Sequence, residues 1–432
     1  MRPVRGGEAD RYSSRRHHLH EWRRESLWLW PAVAAVGAWA AASLVVAYAP
    51  ATLDGGRLFS SNLDDARALL GTVATAILTF TGVVFSITLV ALQMASSQYS
   101  PRVLRNFVRK PVTKLALATF IATFVYSLSV LARIGTTPGR GSSTPQVAVG
   151  LSYVLVMACL FVFVAFVHST VRSMRVTYII EDIAHETLAS LERTFPPSSA
   201  TTGWVRPDLG EATATVCLDH RSGVLDGAQA DQLVRLARSH DCALVLLREP
   251  GSYLVRGTPV IEVHGGDPPP ADEVLTCLDL SPARTLYQDA RYGIRQLVDI
   301  AIRALSPAVN DPTTAVQVLD RLESLLAVVA GRPDPSGTFL DADGVIRLVV
   351  TPPSWVRLVD LSFTEVARYG ADSPQVSRKL LAVYGSVTGL VGAERAAAVE
   401  AHRAWLVGEV GRVTADPEAR QRALTPDPLG LG

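Results

Sequence analysis

Along the first 170 residues the apolar positions gather into four long runs, after which the pattern turns to short alternations and then to apolar residues at helical spacing. The longest run sets the frame, because nothing from Ala68 to Pro101 carries a charge. A helix rises about 1.5 Å per residue and a hydrocarbon core is about 30 Å thick, so roughly 20 apolar residues span it. The four runs predict transmembrane helices at about 27–49, 66–95, 112–134 and 146–167. Pro31 falls in the first turn of the first helix, where a proline is tolerated, and Trp28, Trp30 and Tyr48 stand at its two interfaces. Ser100 and Pro101 mark a break after the second.

Charge orients these crossings. Residues 1–26 carry seven Lys and Arg and residues 96–114 carry five, whereas the loops Pro50–Asp65 and Gly135–Pro145 and their flanks carry one or two each. Arg102, Arg105, Arg109, Lys110 and Lys114 follow the second crossing, and Arg172 and Arg175 follow the fourth. Lys and Arg near helix ends bias those ends to the cytoplasm, so the expectation is a bacterial inner-membrane protein with both termini cytoplasmic.

Beyond the crossings the sequence predicts a membrane-proximal helix at 171–197, ended by Pro196 and Pro197. A small α+β module at 203–270 comes next: EATATVCLD as a strand, SGVLDGA as a turn, AQADQLVRLARSH as a helix, CALVLLRE as a strand, and two strands around Arg256-Gly257-Thr258-Pro259. Residues 271–413 are expected to be mainly helical. Leu286, Ala290, Ile294, Leu297, Ala301 and Leu305 share one helix face, and Arg291, Arg295, Asp299 and Arg303 repeat every four residues on another, as a salt-bridge ladder. SPAVNDP breaks that helix into an elbow built on Asp299, Asn310 and Asp311, in which Asp311 caps the next helix and Pro312 takes its first position. Residues 414–432 read as a disordered tail. The fold class is therefore an integral membrane α-helical protein with four transmembrane helices (27–170), a cytoplasmic α+β module and a helical C-terminal region.

Net charge is +1 over 41 basic and 40 acidic residues, which gives no reason to expect a nucleic-acid partner. Cys159, Cys217, Cys242 and Cys277 are scattered without paired spacing and read as reduced structural residues. The cluster His17, His18 and His20 lacks completing ligands, and Glu181 with His185 supplies two ligands at most, so no metal site is expected. Asp341, Asp343 and Gly344 have the look of a calcium loop but lack its remaining ligands, and a turn is the reading. No nucleotide loop, nucleophile elbow or zinc-protease motif is present, and no acidic or His residue lies inside a crossing. No cofactor and no catalytic residue are expected.

One membrane feature does point to chemistry. Thr72, Thr75, Thr79, Gly82, Ser86 and Gln93 fall within an arc of about 80° at 100° per residue. Hydroxyls and an amide gain nothing from lipid, so this face should meet protein, as a close-packed seam, or water, as a path.

FSITLVALQMASSQYSPRVLRNFVRK, ATFIATFVYSLSVL and RTLYQDARYGIRQLVDIAIRALSPAVNDPTTAVQVLDRL together resemble the DUF2254 family of bacterial predicted membrane proteins, from the first crossing to about residue 390. The resemblance implies four crossings with a cytoplasmic C-terminal region and implies no activity. Two function classes stay open: a homo-oligomeric channel or transport-related protein with a cytoplasmic regulatory or assembly domain, and a membrane-anchored sensor or scaffold that binds a cytoplasmic partner or small ligand. The lipid bilayer and a second copy of the chain are the partners expected.

Overall fold

The computed structural model describes residues 28–48, 63–98, 111–133, 146–195, 204–219, 222–284 and 289–431. The chain divides into two compact units, one ending at Tyr178 and one running from Ile179 to Gly432.

Among the described residues, four helices of the first unit are long and apolar enough to cross a membrane: α1 (Leu29–Tyr48), α2 (Leu63–Gln98), α3 (Pro111–Arg133) and α4 (Gln146–Ser173). At 1.5 Å per residue α1 is about 30 Å long and α2 about 54 Å, so α2 overhangs a hydrocarbon core. The hub is α3, which packs against α1, α2 and α4. Towards its C-terminal end Tyr126 and Val130 meet Ala42, Val46, Leu70 and Ala148, and towards its start Ala116 and Phe120 meet Ile77, Val84, Cys159 and Phe166. Small residues let the helices approach, and two buried polar groups are tied off inside: Tyr126 Oη donates to Ala148 O at 3.1 Å, and Thr123 Oγ1 lies 3.1 Å from Cys159 Sγ. Large apolar side chains such as Phe85, Leu89, Phe161 and Val164 point outward, which a lipid surround tolerates and water does not.

Helix α5 (Val176–Thr194) carries the chain into the second unit, where Glu181 ion-pairs to Arg321 at 2.5 Å. The strands among the described residues are β1 (Ala212–Cys217), β2 (Gly223–Ala228), β3 (Ala243–Leu246), β4 (Tyr253–Leu254), β5 (Pro259–His264), β6 (Leu278–Ser281), β7 (Thr338–Leu340) and β8 (Ile346–Val350). They form a five-stranded sheet in the order β1-β5-β3-β8-β7 and a three-stranded sheet in the order β4-β2-β6. Among the described residues, β3 and β8 are the one parallel pair, with Leu244 opposite Leu348. Helices α6 (Ala230–Ser239) and α7 (Ala271–Thr276) share the sheet core with Leu225, Leu233, Leu244, Ile261 and Leu348. The helical part comprises α8 (Ala290–Ala304), α9 (Pro312–Ala330), α10 (Trp355–Gly370), α11 (Pro374–Gly389), α12 (Ala393–Val413) and α13 (Pro417–Ala423).

Three expectations need correction. SGVLDGA is not a turn: Val224, Leu225 and Ala228 are buried in β2, which pairs with β6, so burial overrides the turn propensity of its glycines and Asp226. The α+β module does not close at residue 270. All four residues of β3 are buried, and the strand pairs with β5 on one edge and with β8, about a hundred residues onward, on the other. The tail is not disordered either. Asp416 caps α13 by accepting from Ala419 N at 2.8 Å. The turns beyond α13 are then held by Gln375 Nε2 to Gly430 O at 2.6 Å and Lys379 Nζ to Pro428 O at 2.9 Å. Gly430 adopts φ +63°, and a Cβ there would stand 2.5 Å from Val316 Cγ1, so only glycine fits this close approach.

Candidate functional site

The stripe on α2 takes its direction from the residues opposite it. Ala66, Leu70, Ala74, Ile77, Val84 and Ala91 are buried against the rest of the bundle. Thr72, Thr75, Thr79, Gly82, Ser86 and Gln93 are all exposed, on the far side of the same helix. Their hydroxyls bond back along α2: Thr72 Oγ1 donates to Ala68 O at 2.8 Å, Thr75 Oγ1 to Gly71 O at 3.0 Å and Thr79 Oγ1 to Thr75 O at 3.1 Å. That leaves each hydroxyl oxygen free to accept, and a Cβ built on Gly82 would meet nothing within 4 Å. Among the described residues, then, no helix of the same chain covers this face. Among the described residues, Ile77, Val84, Phe120, Tyr126 and Phe166 fill the bundle interior.

The basic residues fall into two groups. Arg102, Arg105, Arg109 and Lys110 lie outside the described residues, as does the cluster His17, His18 and His20. Lys114 departs from a solvated flank: it sits in the first turns of α3 with 7% exposure. Arg172 and Arg175 are exposed at the end of α4 and just beyond it, and the Arg172 guanidinium stands 4.2 Å from the centre of the Tyr178 ring, a cation–π contact that fixes its direction.

The elbow residues are placed in detail. Asp299 accepts from Arg295 Nε at 2.7 Å, and the same guanidinium pairs with Glu365 on α10, so the ladder on α8 ties two helices together. Arg295 holds the Glu365 carboxyl below the ordinary glutamate range chiefly by that hydrogen bond. Asn310 adopts φ +50°, a left-handed conformation that asparagine tolerates better than most residues. Asp311 N then donates to Ala304 O at 2.8 Å, and its carboxylate accepts from Thr314 N at 3.1 Å and from Thr314 Oγ1 at 2.6 Å. Pro312 occupies the first turn of α9. These contacts give Asp311 a helix-capping role.

The acidic loop at Asp341 is organised around an arginine. Asp341 Oδ1 accepts from Asp343 N and Val345 N, both at 3.0 Å, and Oδ2 from Arg347 Nε at 2.7 Å. Arg347, first, and then the backbone N–H groups hold this carboxyl below its ordinary range. Glu181 is engaged by Arg321 and His185 is exposed, and among the described residues no group of His, Cys, Asp and Glu is placed to hold a metal.

One network escaped the sequence. Glu249, just beyond β3, meets Arg291 of α8 and Arg357 of α10, while Arg291 Nε also donates to Asp289 Oδ1 at 2.9 Å and Nη2 to Pro250 O at 2.8 Å. Burial alone would raise the Glu249 carboxyl, but the two guanidinium groups outweigh it and the net shift is downward. Its members lie 42 and 108 positions apart, beyond the reach of any helical or strand period. A cavity of about 70 Å³ adjoins it, lined in part by Arg193, Pro250, Asp289, Arg291 and Gly337. That volume is far below the several hundred Å³ of a pocket enclosing a drug-sized ligand.

Comparison with known proteins accords with a membrane-embedded first unit. The chain matches the predicted membrane protein family DUF2254 over residues 24–386. It belongs to that family. Uncharacterized proteins of Mycobacterium bovis and Mycobacterium tuberculosis are each 32% identical to this DUF2254 member over 422 residues, covering 95% of this chain and 81% of theirs. A protein of a second Mycobacterium tuberculosis strain is 31% identical over the same length. No solved structure matches the chain.

Proposed function

We propose that this DUF2254 protein is a homo-oligomeric channel or transport-related protein of the bacterial inner membrane, with both termini cytoplasmic, in which α2 of each copy faces a shared axis and the C-terminal unit serves assembly or regulation. The observation that carries this reading is the direction of the α2 stripe. Its hydroxyls point away from a bundle whose interior is filled, so a polar path has to lie between copies. Lipid gives such a face no return, whereas a second copy or water does. The orientation rests on the Lys and Arg asymmetry of the loops.

The test is ion flux through the purified full chain in liposomes. Flux that falls when Thr79→Leu or Ser86→Leu narrows the polar face supports the channel reading. No flux above empty liposomes, with the protein folded and oligomeric, refutes it and leaves the membrane-anchored sensor or scaffold.

A further inference from the structure

Helix α12 lies on α10 and α11 through Val399, Leu406 and Val410, all fully buried. Its opposite side is unlike a solvated helix face. Ala393, Ala397, Ala401, Ala404 and Gly408 fall, with Trp405 at the edge, in an outward arc of about 120° at 100° per residue, and every one is exposed. Trp405 leaves 45% of its surface uncovered, and a Cβ added to Gly408 would meet nothing within 4 Å. From residue 395 to 411 no charged residue enters this arc. Glu394 and Arg412 stand in it at opposite ends, and Arg412 Nε already donates to Glu409 Oε2 of the same helix at 2.9 Å, so a facing Glu394 would share that guanidinium.

We infer that this face pairs with the same face of a second copy, antiparallel, about a two-fold axis at Arg403. Glu394 and Arg412 lie equally far from residue 403 on either side, so the antiparallel arrangement sets Glu394 of each copy opposite Arg412 of the other. The same axis sets Trp405 of each copy opposite Ala401 of the other, a large ring over a small residue, and the alanines let the backbones approach closely. A parallel pair would set Glu394 against Glu394 and Trp405 against Trp405. A membrane surface is the poorer occupant, because the face carries one Arg and no Lys, whereas surface-binding helices are rich in both. A single helix pair is smaller than a stand-alone interface, so the pairing draws on the high effective concentration of copies held in one membrane. It rests on the membrane placement proposed above and is independent of the α2 seam.

The experiment uses the full chain in liposomes and a short bis-maleimide, with Ala404→Cys as reporter and Ser239→Cys on the exposed end of α6 as background. Ala404→Cys is expected to give a cross-linked dimer well above that background. Adding Glu394→Arg changes both ends of the symmetric pair and should weaken pairing about tenfold. Adding Arg412→Glu to that variant should restore it. A dimer yield no higher than background, or a double reversal that fails to recover, overturns the inference. Thr79→Cys is followed in parallel: loss of its cross-link with the Ala404→Cys dimer intact refutes only the α2 seam, and the reverse refutes only this pairing.

Discussion

Replacing Asp311 with alanine removes two contacts at once, and the structure fixes the size of the effect. The carboxylate caps α9 at Thr314 N, and losing such a cap costs about 1 kcal/mol. It also accepts from Thr314 Oγ1, and Thr314 is 6% exposed, so stripping that hydroxyl of its partner adds about 1 kcal/mol. The sum, about 2 kcal/mol, corresponds to a fall of about 4–8 °C for a unit of this size. Asp311→Asn should stay within about 0.5 kcal/mol of the parent, since the amide oxygen accepts from Thr314 N and the amide N–H donates to Thr314 Oγ1. Thr314→Ala added to Asp311→Ala should cost less than the sum of the singles, because they share one hydrogen bond. The assay is protease resistance of the C-terminal unit in the full chain as temperature rises. If Asn is as damaging as Ala, the charge itself matters and the capping account fails; if Ala is silent, the elbow does not hold α9.

Four other outcomes follow from particular contacts. Asn310→Gly should be neutral and Asn310→Val should cost about 1–2 kcal/mol, since the backbone there is left-handed; equal melting of the two variants refutes this. Tyr384 is fully buried with its hydroxyl unpartnered and its ring set edge-on to Phe363 at 5.0 Å, so Tyr384→Phe should raise stability by about 1 kcal/mol, and a loss of stability contradicts the contact. A Cβ on Gly370 would stand 2.4 Å from Val376 Cγ1, so Gly370→Ala should cost about 1–3 kcal/mol and be relieved by Val376→Ala; absence of that relief counts against the packing. Glu249 and Glu365 are both held below the ordinary glutamate range, so the stability each contributes is complete above an unfolded value of about 4.3 and is lost as pH falls through the lower folded value. Melting should be flat from about pH 7 to 5.5 and fall below about pH 4.5, less steeply in Glu249→Gln; identical acid slopes in variant and parent refute it.

What the sequence discloses depends on the range of the interaction. The four membrane runs announce themselves because charge is absent over a span that only a bilayer needs, and the cap at Asp311-Pro312 is written in two adjacent residues. β2 was hidden because Gly223, Asp226 and Gly227 have turn chemistry while Val224 and Leu225 carry the burial that decides. The pairing of Leu244 with Leu348 leaves no local trace, since any buried apolar run would serve as well. The docked tail was hidden likewise: Gly430 resembles a flexible end until Val316 is seen against it. At the membrane stripe, angular arithmetic places Thr72, Thr75 and Thr79 on one face, but only the buried opposite residues Ile77 and Val84 show that this face turns away from the bundle.

The central claim is that the α2 stripe meets another copy or water in place of lipid, and cysteine scanning of α2 in membranes tests it most directly. The account predicts that Thr75→Cys, Thr79→Cys and Ser86→Cys cross-link between copies or react with a water-soluble thiol reagent, while Ile77→Cys, Val84→Cys and Thr88→Cys stay silent. Reaction of Thr75→Cys, Thr79→Cys and Ser86→Cys with lipid-soluble probes alone, with neither cross-link nor aqueous labelling, would contradict it.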